Sequence, residues 1–240
     1  MTAPYLALMV YGSQARGTAD SGSDVDVLAL VDQRPGSYQV GRVSVTAYAP
    51  AQLHAMAQDS SLFVLHLKTE GILLEDPQGT LSRALDAYTP IADFASHRQQ
   101  IRAVAPALNV HRDLFATHGQ GLARMGLYLL RTALYLEAAE AGRPDFDALA
   151  AAKARGEDEV VRACALKRAT WFEASDLRLL DRALSALLRH ESHEPIKTAE
   201  ELQTRALFLS DASPHASALL VNVLYGHTDV DYVGVTAAPW

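Results

Sequence analysis

The sequence predicts an α/β (α+β) fold in two parts, a small sheet-containing domain at residues 1–90 and an all-helical domain at residues 91–240. Short apolar runs broken by glycine, serine and aspartate occupy the first part and have the length and spacing of buried strands. From residue 80 onward alanine, leucine and arginine dominate, and apolar residues recur every three or four positions, as in amphipathic helices. The change of pattern places the division between residues 86 and 97.

Taken along the chain, the pattern predicts four strands and a series of helices. The strands are expected at residues 4–11, 25–31, 42–49 and 72–75, with a turn at residues 34–37. In the first part, one or two helical turns capped by Ser13 precede helices at residues 50–58 and 61–70. The helices of the second part are expected at residues 92–116, 121–141, 146–155, 157–172, 176–190, 197–210 and 214–225. The tail after Gly226 shows no clear pattern.

Composition and charge exclude several classes of protein. The chain has 240 residues, of which 49% are hydrophobic and 20% charged, as in globular proteins and unlike disordered or fibrous ones. Its apolar stretches are shorter than the roughly 20 residues of a membrane helix, and its start lacks the basic segment of a signal peptide. The net charge of −7 offers no basic footprint for nucleic acid. Because the single cysteine, Cys164, cannot form an internal disulfide, we expect a cytoplasmic protein.

Residues 10–31, VYGSQARGTADSGSDVDVLALV, place Asp24 and Asp26 two positions apart at the start of an apolar strand. Residues i and i+2 of a strand share a side and lie ~6.5 Å apart, so both carboxylates reach one cation. Oxygen ligands suit Mg²⁺ or Mn²⁺, and Mg²⁺ commonly takes one or two carboxylates together with phosphate oxygens. Gly12 lets the backbone approach a ligand closely, and Ser13 opens a helical turn whose N–H groups attract anions. Together these features predict a site for a nucleoside triphosphate and its metal.

The same stretch resembles the signature of the DNA-polymerase-β-like nucleotidyltransferase superfamily, particularly its minimal and aminoglycoside-type members. The family pattern is Gly-Ser-x-Ala-Arg-Gly, a short spacer, and Ser-Asp-x-Asp followed by an apolar strand. The chain fills that pattern without gap or insertion at Gly12, Ser13, Ala15, Arg16, Gly17, Ser23, Asp24 and Asp26. The resemblance covers residues 5–80, and the helical remainder is similar only in kind to the helical domains of such enzymes.

The resemblance implies a mixed-sheet enzyme that binds ATP or another NTP with Mg²⁺ (or Mn²⁺) and transfers NMP to an acceptor hydroxyl, releasing pyrophosphate. The resemblance also implies that Asp24 and Asp26 are catalytic and bind the metal. The implied nucleotide-binding residues are Gly12, Ser13, Arg16 and Ser23. For Arg16, whose guanidinium has several donors, a structural role in the loop is an equal alternative. A small molecule or a protein is the expected acceptor, nucleic acid and membrane are disfavoured as partners, and a homodimer stays open.

The match fails at one position, on the strand that follows the aspartates. The family carries a third carboxylate there, whereas this chain has Ser44, and a shift of register would offer only Thr46. Loss of a general base typically costs ~10²–10⁴-fold in rate. Candidates for a replacement base are Glu137, Glu140, Asp59 and Glu70, although each also fits a solvated helix face. The alternatives are catalysis with two acids and a reactive acceptor, or a catalytically impaired nucleotide-binding or regulatory module of the antitoxin-like kind.

Overall fold

The computed structural model describes residues 5–91, 93–189 and 194–226. These residues form two compact units, one that ends before Asp93 and one that begins there. The first unit contains the sheet, and the second is built of helices with an isolated bridge between Val110 and Ile196. The predicted fold class is therefore confirmed. That residues 1–90 and 91–240 are separate domains stays a prediction.

A five-stranded mixed sheet with the order β3-β4-β2-β1-β5 organises the first unit. Its strands are β1 (Ala7–Tyr11), β2 (Val25–Leu30), β3 (Gly36–Val40), β4 (Val43–Tyr48) and β5 (Ile72–Glu75). The pair β2–β4 is parallel, and the pairs β1–β2, β1–β5 and β3–β4 are antiparallel. The four predicted strands are present. The prediction omits β3, which begins within the turn expected at residues 34–37.

β3 is not predicted from the sequence because it is an edge strand whose residues are mostly exposed. Tyr38 and Val40 are 57% and 64% exposed, so the strand lacks the buried apolar run by which the other strands are recognised. What makes it a strand is its antiparallel pairing with β4, which runs from the pair Gly36–Ala47 to the pair Val40–Val43.

Four helices belong to the first unit. They are α1 (Gly12–Arg16), α2 (Pro50–Gln58), α3 (Leu62–Glu70) and α4 (Thr80–Asp86). Ser61 caps α3, because its hydroxyl accepts a hydrogen bond from the N–H of Phe63 at 3.3 Å. The predicted cap at Ser13 is wrong: Tyr11 precedes α1, and Ser13 lies within it.

The larger core of the first unit covers one side of the sheet. Strand residues such as Leu28 and Leu30 are fully buried there against Leu53, Phe63 and Leu67 of the helices. Because alternate residues of a strand share a side, Asp26 lies on the same side of β2 as these two leucines. The hydrophobic row along β2 therefore ends in a carboxylate at the edge of the core.

The second unit consists of seven α-helices among the described residues, with short 3₁₀ segments at Ala105–Leu108 and Leu166–Arg168. The α-helices are α5 (Ala95–Val104), α6 (Arg112–Glu140), α7 (Ala148–Arg155), α8 (Asp158–Ala165), α9 (Ala174–Leu188), α10 (Ala199–Ala212) and α11 (Pro214–Leu224). No helix in the described ranges is long and apolar enough to cross a membrane. The tail after Gly226 lies outside the described residues.

The predicted division between helices 92–116 and 121–141 is wrong in position. The chain leaves the α-helix at the 3₁₀ segment that contains Pro106, because proline lacks an N–H and cannot continue the α-helical ladder. α6 then runs without interruption through the predicted break. A glycine inside it, Gly126, has a use in packing, since a Cβ there would stand 3.2 Å from Leu108.

Cys164 is a buried, free cysteine on α8. Burial raises the pKa of its thiol to about 11. The thiol therefore stays protonated at neutral pH, and the residue packs as a small core side chain instead of serving as a nucleophile.

Candidate functional site

The predicted site lies at one end of the sheet, where β1 ends and β2 begins. Antiparallel pairing sets Asp26 opposite Tyr11, the last residue of β1, and Gly12 follows at once as the first residue of α1. Asp26 is half-buried. Asp24 stands one residue before β2, is exposed, and makes no hydrogen bond or ion pair with any described residue.

Contact between Gly12 and Asp26 joins the two halves of the sequence motif. Gly12 has a φ of +71°, a conformation that glycine adopts freely and other residues rarely do. A Cβ at this position would lie 2.5 Å from Oδ2 of Asp26, well inside van der Waals contact. Only glycine therefore allows the turn after β1 to pass against the carboxylate of β2.

α1 is a single tight turn that reverses the chain after β1. It ends at Gly17, which has a φ of +72°, and the N–H of Thr18 donates to the carbonyl of Ser13 at 3.0 Å. Ser13 is half-buried within this turn. Gly12 and Ser13 thus lie together in a compact turn next to Asp26, although they are distant from it in sequence.

Ser23 holds the spacer immediately before Asp24. Its hydroxyl accepts from the N–H of Asp20 at 2.9 Å and donates to Oδ1 of the same residue at 3.1 Å. Nη2 of Arg42, which precedes β4, donates to the carbonyl of Ser23 at 2.5 Å. The contacts seen for Ser23 therefore fix the approach of the chain to the aspartate pair.

Arg16, the last residue of α1, forms an ion pair with α3. Its Nη1 lies 2.5 Å from Oε2 of Glu70, and Nε2 of His66 lies 3.1 Å from the same oxygen. Burial by itself would raise the pKa of Glu70, but the hydrogen bonds from His66 and Arg16 outweigh it and lower that pKa. The sequence predicts Glu70 only as a candidate base, and no local pattern signals its ion pair with Arg16.

Ser44 lies directly beside Asp26. The parallel register of β2 and β4 pairs these two residues, and the antiparallel register of β3 and β4 places Gln39 on the far side of Ser44. Paired residues on neighbouring strands share a side of the sheet. Ser44 therefore occupies the position where the resemblance leads us to expect a third carboxylate, and the row offers a hydroxyl beside Asp26 and an amide one strand farther away.

Glu137 and Glu140, the candidate bases on α6, are both engaged by arginines of the second unit. Nη1 of Arg155 lies 2.5 Å from Oε1 of Glu137. Glu140 pairs with Arg98 and also accepts the N–H of Phe94 at 2.8 Å. Their service as a base stays a prediction.

The donors at the sheet end suit a hard divalent cation. Across the described ranges, no group of three or more His, Cys, Asp or Glu is arranged to hold a metal ion. Two carboxylates nevertheless meet the usual demand of Mg²⁺, which takes one or two from the protein and completes its shell with water and phosphate oxygens. The half-buried Asp26 and the exposed Asp24 therefore fit such an ion when a phosphate ligand shares it.

Residues at the candidate site are similar to a known protein family. Residues 5–53, which run from β1 through β4 into α2, match the family model described as a nucleotidyltransferase domain. No curated protein matches the chain. A solved structure of a nucleotidyltransferase-like protein from Exiguobacterium sibiricum 255-15 is similar at 14% identity over 88% of this chain and 73% of that one, with a TM-score of 0.28. The family match spans the Gly-Ser and Asp-x-Asp motifs, so residues 5–53 are similar to a nucleotidyltransferase domain, as the resemblance of these motifs predicts.

Proposed function

We propose that this protein is a divalent-metal-dependent nucleotidyltransferase that moves NMP, in the simplest case AMP from ATP, onto a hydroxyl of a small molecule or protein. Pyrophosphate is the second product. The observation that supports this most directly is the contact between Gly12 and Asp26, which places the Gly-Ser turn and the Asp-x-Asp motif at one point of the sheet. A nucleotidyltransferase needs the two together, because the triphosphate must meet both its cradle and its metal.

Each part of the site has a proposed task. Asp24 and Asp26 hold Mg²⁺ or Mn²⁺, while Gly12 and Ser13 present the turn to the triphosphate. When bound, the ion neutralises part of the negative charge on the phosphate oxygens. Ser23 keeps the aspartate pair in place through its hydrogen bonds with Asp20.

A second candidate function is favoured by Ser44. A serine hydroxyl beside Asp26 can donate or accept a hydrogen bond, but it cannot take up a proton at neutral pH as a carboxylate can. A chain with two acids at the site could bind a nucleotide and transfer it slowly or not at all. The second candidate is therefore a nucleotide-binding regulatory module.

Calorimetric titration with ATP and Mg²⁺ tests the nucleotide site. We expect Asp24→Asn/Asp26→Asn to weaken binding by at least about 100-fold, since even groups behind the ligands typically cost 10–100-fold in metal affinity. The matched control is Asp32→Asn/Asp86→Asn, which removes the same charge from two exposed aspartates outside the site and is expected to bind like the wild type. Equal binding by all three proteins would refute the site.

Labelled ATP and a panel of hydroxyl acceptors separate the two candidate functions. Pyrophosphate release above the level of the aspartate double variant identifies an enzyme. Tight binding without such release favours the regulatory module.

The acceptor and the compartment are part of the same proposal. The net charge of −7 supports a small molecule or a protein as acceptor over nucleic acid. The single, buried and free Cys164 suits a reducing compartment such as the cytoplasm.

A further inference from the structure

The arginine of the Gly-Ser-x-Ala-Arg-Gly motif is in contact with protein. Arg16 closes α1, and its guanidinium meets Glu70 at 2.5 Å in a pair whose side chains are only 18% and 9% exposed. A charged group that is so little exposed needs its partner, because removal of that partner leaves a poorly solvated charge. The pair therefore fixes the C-terminal end of the turn to α3.

The same carboxylate oxygen reaches the other end of the turn through His66. Nε2 of His66 lies 3.1 Å from Oε2 of Glu70, and the ring of His66 packs edge-on against the ring of Tyr11 with centroids 5.5 Å apart. Tyr11 immediately precedes Gly12 and pairs with Asp26 across the sheet. Glu70 is thus linked to both ends of α1.

Glu70 stands in a position that by itself disfavours a carboxylate. It is the last residue of α3, where the unpaired carbonyls of the helix create negative potential. Donors from Arg16 and His66 offset that potential and the burial. A carboxylate in so unfavourable a place is explained by the contacts it makes, directly with Arg16 at the end of the turn and through His66 with Tyr11 at its start.

We propose that Glu70 is a positioning residue, which fixes the turn Gly12–Arg16 through Arg16 and His66 so that the turn and Asp26 are held ready for the triphosphate. Arg16 then acts through Glu70 and not by direct contact with a phosphate. This inference rests on the proposed function, because the triphosphate is the ligand proposed for the turn.

Hydrogen–deuterium exchange on the ligand-free, full chain tests the holding role without any nucleotide. In Glu70→Gln we expect the amides of residues 12–18 to exchange about tenfold faster or more, because a hydrogen bond to a charged group is lost. Glu75→Gln is the matched control, since it makes the same chemical change on exposed β5, where Glu75 accepts from Tyr5. Unchanged exchange of residues 12–18 in Glu70→Gln would overturn the proposal.

Protection of β2 and β4 in the same experiment reports whether the variant is folded. If β2 and β4 lose their protection in Glu70→Gln, the experiment is done with Arg16→Gln instead. The same faster exchange is expected at residues 12–18. A folded Arg16→Gln protein with wild-type exchange in this segment would equally overturn the proposal.

A double-mutant cycle on ATP–Mg²⁺ binding distinguishes positioning from direct contact. If Arg16 acts through Glu70, then Arg16→Gln/Glu70→Gln binds no more weakly than the weaker of the two single variants. If Arg16 instead contacts a phosphate, Glu70→Gln leaves binding intact or strengthens it while Arg16→Gln weakens it, and the proposal fails. Absence of binding by the wild type would refute the proposed function, and the exchange data would still decide whether Glu70 fixes the turn.

Discussion

The candidate acids of the sheet unit and those of the helical unit have different neighbours. In the sheet unit, Asp24 is exposed without a partner among the described residues, and Asp26 lies against the glycine turn. In the helical unit, Glu137 and Glu140 each pair with an arginine. An arginine occupies part of a carboxylate's accepting capacity, so fewer of its lone pairs are open to the proton of a substrate. The comparison teaches that the chemistry open to a carboxylate depends on its neighbours in space.

Glu70 shows that the division does not simply follow the two units. It belongs to the sheet unit, yet it is held by Arg16 and His66 in the way that Glu140 is held by Arg98. The contact among Glu70, Arg16 and His66 supports the structure at the edge of the candidate site, whereas Asp24 is exposed.

The largest expected effect comes from adding an acid beside the accessible pair. Ser44→Glu restores a carboxylate next to Asp26, so we expect the rate of pyrophosphate release with a suitable acceptor to rise by ~10²–10⁴-fold. ATP affinity, measured by calorimetry, should change much less. Gln39→Glu is the matched control, because it places the same group one strand farther from Asp26. A Ser44→Glu protein that binds ATP but gains no rate would indicate that the native site already has a base.

The next effect concerns the turn that lies against Asp26. Gly12 and Gly17 have φ values of +71° and +72°, so alanine at either should cost about 1–2 kcal/mol of unfolding free energy for the left-handed backbone. Only Gly12→Ala also drives a Cβ into Asp26, which should add about 1–3 kcal/mol. Apart from its chain neighbours, no described residue has an atom within 4 Å of a Cβ at Gly17. Equal urea midpoints for the two variants would contradict the close contact.

A smaller effect distinguishes the two acids of α6. Glu140→Gln should lower the free energy of unfolding by about 1–3 kcal/mol, since its partly buried carboxylate serves both Arg98 and the N–H of Phe94. Glu137→Gln should cost less than about 1 kcal/mol, because Glu137 is half exposed. Urea unfolding measures both. A fall in transfer rate with unchanged stability in either variant would instead reveal a base.

The smallest effect is the pH dependence that Glu70 contributes. Its pKa lies below the ordinary value of 4.5, so the pairing stabilises the protein above that pH and is lost as the pH falls through the lowered pKa. The difference in unfolding free energy between wild type and Glu70→Gln should therefore shrink below pH 4.5. Urea titrations from neutral pH to about pH 3 measure it. A difference that stays constant over this range would mean that the pairing does not depend on the ionised carboxylate.

Much of the sheet unit can be predicted from its sequence because the evidence is local. The apolar run of β2 and the Pro50 and Ser61 starts of α2 and α3 are visible over a few residues. The break between α5 and α6 is hard to predict, because Pro106 and the internal glycines of α6 each disfavour a helix. Burial of α6 then decides in favour of one long helix.

By itself, the sequence determined the fold class, the aspartate pair, the glycine turn and the lack of a third acid at Ser44, because residue identity and short spacing settle these. Only the tertiary structure decided that Gly12 touches Asp26, that Ser44 stands beside it, and that Arg16 belongs to Glu70. The physical reason is that spacing along the chain constrains geometry over one turn or strand. Partners far apart in sequence are chosen by packing and by the burial of charge, which no short pattern records.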